Sequence, residues 1–181
     1  YLMTEPVDET LVAFARLGRR AAETGRFPER ATSLLLGAYH LQSCDAAPRV
    51  LVSSDAIPFR PHRGVVLIVE RVGSGDVDAW ARWHHAEHVP LVLGRDGVAG
   101  IATFRSSTML GVGPDQGARY AMPAWDPGDR FVTVVYVDGD LLATTEALTP
   151  VIQARWDRGG VEPELAGPFR SMVTYEAWPS P

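Results

Sequence analysis

The order of apolar patterns after residue 64 is what most restricts how this chain can fold. "GVVLIVERV" (64–72) is a β-branched run too short for most helices and reads as a strand. "SGDVDAWARWHHAEHVPLVLGRDG" then reads as a helix capped by Ser74 or Asp76, with Trp80, Trp83, His84 and Glu87 or His88 recurring at helical spacing. Pro90 is expected to end or kink that helix near Val89, and Gly94 and Gly97 to close it. Strands follow at 98–107 and 130–139, separated by a Gly- and Pro-rich stretch, "GVGPDQGARYAMPAWDPGD", expected to be a long surface loop. "DLLATTEALTPVIQARWDRGG" gives a second helix that Pro150 can interrupt, and "GPFRSMVTYEAWP" a last strand. Strand, helix, strand, strand, helix, strand is the ferredoxin-like split β-α-β order, an α+β class in which an antiparallel sheet carries both helices on one face. Its second face then needs a cover, and another such unit, from the same chain or a partner, would supply it.

Residues 1–63 have the makings of a degenerate half of such a unit, placed before a complete domain at 64–181. "YLMTEPV" reads as a strand, "DETLVAFARLGRRAAETG" as a capped amphipathic helix, and "ATSLLLGAYHLQS" as another strand. A further short strand is expected at 49–53, and Pro58 and Pro61 point to an extended link. The two helices align: "VAFARLGRR" from Val12 lies against "DAWARWHHA" from Asp78, pairing Phe14 with Trp80, Arg16 with Arg82 and Leu17 with Trp83. Gly18, Arg19 and Ala22 then stand where His84, His85 and His88 stand, so the histidines belong to one copy alone.

Those three histidines are most of the five in the chain. His84, Glu87 and His88 spell H-x-x-E-H, in which two histidines a turn apart can hold zinc, with Glu162 or Glu164 as a remote third ligand. The competing reading is metal-free proton transfer by His88, because an imidazole both accepts and donates a proton near neutral pH. His84, one turn earlier, can project to the same side, whereas Glu87 lies about 100° round the helix from His88 and His85 points outward. The plainest reading is a histidine that favours a helix C-terminus.

"WARWHHAEHVPLVLGRDGVAGIATFR" resembles the EthD-like family of the dimeric α+β barrel superfamily, in a segment reading approximately W-x-x-x-H-x-P, then G-V and a strand bearing Arg. Trp83 or His84, then His88, Pro90, Gly97, Val98 and Arg105 stand at those places, and the order of elements over residues 64–180 agrees. The resemblance implies ferredoxin-like units paired as a barrel, within the chain or in a homodimer. It also implies an activity drawn from a group of monooxygenases, cyclases, isomerases, dehydratases and haem-handling proteins. In such sequences an acidic residue commonly precedes the same histidine without any metal.

The function expected is therefore that of a small-molecule enzyme acting by histidine acid/base chemistry, without nucleotide or other cofactor. Its substrate would be apolar, aromatic or polyketide-like, and the reaction a cyclisation, dehydration or isomerisation. The alternatives are a cofactor-free or haem-dependent monooxygenase, a non-catalytic ligand-binding or assembly module, and a metalloenzyme using His84 and His88. His88 is the expected acid/base and His84 its assistant, with Tyr136 or Arg105 polarising a carbonyl or steadying an enolate. Trp80, Trp83, Phe104 and Tyr175 are the expected pocket walls, chosen from aromatics that equally suit a core. Tyr39 and His40, adjacent on a strand, cannot both enter one cavity.

Composition narrows the partners. A net charge of -5 argues against nucleic acid, and no apolar run approaches the roughly 20 residues of a membrane helix. The single cysteine, Cys44, allows neither an internal disulfide nor a multi-cysteine metal site, and reads as a small buried residue rather than a nucleophile. No secretory leader is expected, so the expected compartment is the cytoplasm. There is no G-x-G-x-x-G after a strand, no P-loop, no G-x-S-x-G and no C-x-x-C.

Overall fold

In a computed structural model, the described residues are 39–73, 76–106 and 129–171, with 13, 16, 17, 20, 21 and 23–26 of the N-terminal segment. The chain divides into two compact units, residues 1–39 with 107–127 and residues 40–106 with 128–181. In the first unit, residues 13, 16, 17, 20, 21 and 23 are helical, as expected, and Thr24 closes that stretch by donating to the Arg20 carbonyl. The expected strand at 1–7 and the loop at 111–129 up to Gly128 lie outside the described residues.

The second unit is built on one five-stranded sheet. In chain order its elements are β1 (Tyr39–Ala46), a 3-10 helix (Ser54–Phe59), β2 (Gly64–Val72) and α1 (Val77–Trp83). They continue with a wide turn (His84–His88), α2 (Val89–Leu93), β3 (Val98–Ser106), β4 (Arg130–Val137), α3 (Leu141–Asp157) and β5 (Val161–Arg170). The strands lie in the order β1-β3-β4-β2-β5, and β2 with β4, β2 with β5, and β3 with β4 are antiparallel. The chain is thus α+β, and the element order expected from residue 64 onward is present.

Several local expectations are corrected. The last strand begins at Val161, six residues before Gly167, and takes in Pro163 and Pro168. An edge strand tolerates both prolines because one side of it needs no ladder donors. The stretch 49–53 forms no strand, and Pro58 sits inside the 3-10 helix rather than in an extended link. β1, described from Tyr39, joins the same sheet as β2–β5 beside β3, and the earlier part of the strand expected at 31–43 lies outside the described residues. The division expected at residue 63 therefore falls inside one unit.

The helices obey their capping signals and override their prolines. Asp76 accepts a hydrogen bond from the Ala79 amide at 2.8 Å, and Asp140 one from the Ala143 amide at 2.9 Å, each satisfying an otherwise orphaned donor. Pro150 lies within α3 without ending it. Pro90 does not stop its helix either, which runs on to Leu93. Just before it, the Val89 amide reaches back five residues to the His84 carbonyl, the pattern of a π-turn. The widened turn changes the hydrogen-bond register at the point where proline has no amide to give, so the helix absorbs Pro90.

Register fixes what the helices cover. Three rows cross the helix-facing side: Val66, Val135 and Ile101; then Ile68, Thr133 and Thr103; then Glu70, Phe131 and Arg105. The first row packs with Val89, Val92, Leu148, Val151 and Ile152 into the core. Toward the α1 end the rows become polar and aromatic. Burying such groups costs energy unless each finds a partner, and that end of the interface holds the histidines.

Candidate functional site

His84 and His88 both face the sheet, each with only 2% of its surface exposed. Their rings lie 5.2 Å apart, centroid to centroid, so the expected projection to one side holds through the π-turn. His84 Nε2 shares a 2.9 Å hydrogen bond with Thr103 Oγ1 on β3. Trp80 stacks on His84 at 5.0 Å and nearly parallel, and it also packs against Phe131 of β4 at 4.3 Å. Trp83 lies 5.8 Å from His88. His84 Nδ1 and His88 Nε2 are buried without a hydrogen-bond partner among the described residues.

Burial sets the electrostatics of this pair. Desolvation pushes the His88 imidazole down to about 4 and that of His84 down to about 3, with the nearby His88 and His85 rings adding to the shift at His84. Both rings are therefore neutral at pH 7, and each has one nitrogen able to accept a proton or hydrogen bond. Among the described residues, neither His85 nor Glu87 is hydrogen-bonded to the pair. His85 is exposed, 3.8 Å from Asp45, and Glu87 accepts a 3.0 Å hydrogen bond from the Trp83 indole.

A second polar group adjoins the first. Arg155, fully buried on α3, forms an ion pair with Glu70 of β2, and the other Glu70 oxygen accepts from the Trp156 indole at 3.1 Å. The Arg155 guanidinium lies 4.9 Å from the centre of the Trp80 ring. Beside it opens a pocket of about 250 Å³ lined by Trp80, Trp83, Arg155, Arg158, Asp76 and the Gly159–Gly160 turn, among others. The two indoles thus stand between this pocket and the imidazoles. Sequence reasoning missed Glu70, Arg155 and Arg158; a glutamate in the otherwise apolar run "GVVLIVERV" was the available signal for the first.

The remaining expected residues are dispersed. Arg105 lies on the helix side but is taken up by a 2.8 Å ion pair with Asp78 of α1. Tyr136 and Phe104 point to the opposite side of the sheet, because their neighbours Val135 and Thr103 face the helices. Tyr136 packs there against His62, 4.9 Å between ring centres, so it does not join His88. Tyr175 lies outside the described residues. Tyr39 and His40 both belong to β1. Cys44 donates to the Ser54 carbonyl, and burial raises its thiol to about 11, leaving it protonated.

For the zinc alternative, Glu87 is turned to Trp83, and Glu164 is held by Arg130 at 2.6 Å and Arg71 at 3.2 Å. Among the described residues, no group of three or more His, Cys, Asp or Glu is placed to hold a metal ion. No described helix is long and apolar enough to cross a membrane. Compared with protein-family models, curated proteins and solved structures, the chain matches none of them.

Proposed function

We propose that this chain is a small-molecule enzyme in which His88 withdraws a proton from an apolar, enolisable or phenolic substrate, with His84 as its positioning partner. The observation that carries the reading is the stacked pair of buried, neutral imidazoles with open nitrogens, set at a π-turn. π-turns are concentrated at functional sites, and a buried polar atom without a partner calls for an explanation. A bound substrate would offset the low basicity that burial gives His88. As the substrate gives up its proton, its enolate or phenolate stands beside the new imidazolium, and opposite charges at short range favour the charged form. The C–H or O–H bond breaks, the proton goes to Nε2, and the electron pair stays on the substrate. His84, held on Thr103, fixes the ring of its neighbour. Cyclisation, dehydration or isomerisation could each follow from that anion.

We further read the fold as ferredoxin-like and related to the EthD-like proteins. The strand order β5-β2-β4-β3 and the motif around His88 support that reading, and a pairing of units into a barrel would follow from it.

The test uses 2-tetralone, an enolisable aromatic ketone, in deuterated buffer. The protein is expected to accelerate α-proton exchange at least about tenfold over buffer, a modest share of the usual contribution of a positioned acid/base. His88→Ala should return the rate to that of buffer, and equal rates for the two proteins refute the proposal. A second reading, a non-catalytic binding or assembly module, is favoured by the near-complete burial of both rings behind Trp80 and Trp83. It predicts no exchange from either protein.

A further inference from the structure

The orphaned polar atoms beside the 250 Å³ pocket are all donors. Trp80 Nε1 and Arg155 Nε and Nη1 are buried without a hydrogen-bond partner among the described residues. None of them can accept, so only an acceptor satisfies them. At the mouth of the same pocket, the exposed Arg158 guanidinium rests 4.4 Å from the centre of the Trp83 ring, with no carboxylate partner among the described residues. The acidic groups nearby are already engaged: Glu70 with Arg155, and Asp76 with Arg82 at 3.7 Å and with the Ala79 amide. The pocket therefore offers parts of two indoles and, at its mouth, a cation without a carboxylate partner among the described residues, with unmet donors buried behind them.

We propose that this pocket binds a planar aromatic carboxylate, its ring against Trp80 and Trp83 and its carboxylate toward Arg158 and the Arg155–Trp80 donors. A carboxylate carries acceptor sites only, and a guanidinium matches it in shape as well as charge. The volume lies below the roughly 300–1,000 Å³ of drug-sized sites, which fits one or two fused rings. Gly159 and Gly160 leave open space at the rim, since a Cβ at either position would meet no atom within 4 Å. This inference rests on the reading that the site handles a small molecule, and it adds the chemical class of that molecule. Displacing Trp83 would bring such a ligand toward His88.

The probe is naphthalene-2-carboxylate, with the uncharged naphthalene-2-carboxamide as its isostere. Binding to the full chain is followed through the indole N–H signals in proton–nitrogen correlation spectra. The carboxylate is expected to saturate and shift the Trp80 and Trp83 signals, assigned with Trp→Phe variants, and the carboxamide to bind at least about tenfold more weakly. Arg158→Ala, at an exposed position, should weaken the carboxylate about tenfold and leave the carboxamide unchanged. His88→Ala should leave carboxylate affinity within about twofold. Equal affinity for the two probes, indifference to Arg158→Ala, or no shift at millimolar carboxylate overturns the proposal. Proton exchange on 2-tetralone is scored separately, so a working base with no carboxylate preference refutes only this inference. Carboxylate binding without His88-dependent exchange refutes only the proposed function.

Discussion

Lowering the pH should weaken this fold through its two buried histidines, by an amount that their burial determines. An imidazole near its ordinary value of 6.5 in the unfolded chain is pushed down to about 4 at His88 and to about 3 at His84 in the folded chain. The folded form excludes the proton, so the stabilisation is complete above pH 6.5. It is lost as the pH falls below 6.5, where the unfolded chain binds protons the folded chain does not. At pH 5 each histidine accounts for about 2 kcal/mol of lost stability, about 4 kcal/mol together. That is a large part of the 5–15 kcal/mol typical of a whole domain. Urea unfolding at pH 8 and pH 5, followed by tryptophan fluorescence, measures the loss directly. With a slope of about 1–3 kcal/mol per molar urea, the midpoint should fall by more than 1 M. Carboxylates also titrate over this interval, so the decisive comparison is with His88→Leu, which removes one titrating ring. Its stability should fall by about 2 kcal/mol less than that of the parent protein between the two pH values. Parallel losses, or a carbon-bound imidazole proton of His88 titrating near 6.5, would refute the claim that burial keeps this ring neutral.

Two further perturbations test the groups around the pair. Glu70→Leu leaves the Arg155 guanidinium buried and unpaired and should cost about 3–5 kcal/mol in urea unfolding, most of it restored in the Glu70→Leu/Arg155→Leu double variant. Thr103→Val keeps the side-chain shape but removes the hydroxyl from His84 Nε2, so unfolding measurements should show a loss of about 1–3 kcal/mol.

Local chemistry in the sequence was enough for β2, the helical character of the segment from Asp76, and the shared side of His84 and His88. A β-branched run, a capping aspartate and a four-residue spacing each act over distances that the chain itself fixes. The same holds for the outward turn of His85 and the separation of Glu87 from His88. Other features depended on contacts between distant segments. The edge position of β5 allowed Pro163 and Pro168 to join a strand that the sequence placed later, because the demand for ladder donors depends on which neighbours a strand has. The phenol of Tyr136 suits a polar contact with a substrate, yet the register of β4 puts it on the side of the sheet away from His88. A shift of one residue would have reversed that, and no local pattern records it. The π-turn that carries the chain past Pro90, the burial that lowers both imidazoles, and the meeting of Glu70, Arg155, Trp80 and Arg158 were likewise decided only in three dimensions. Residue type and spacing thus selected the two histidines, and packing against β3 and β4 removed their water and set their protonation.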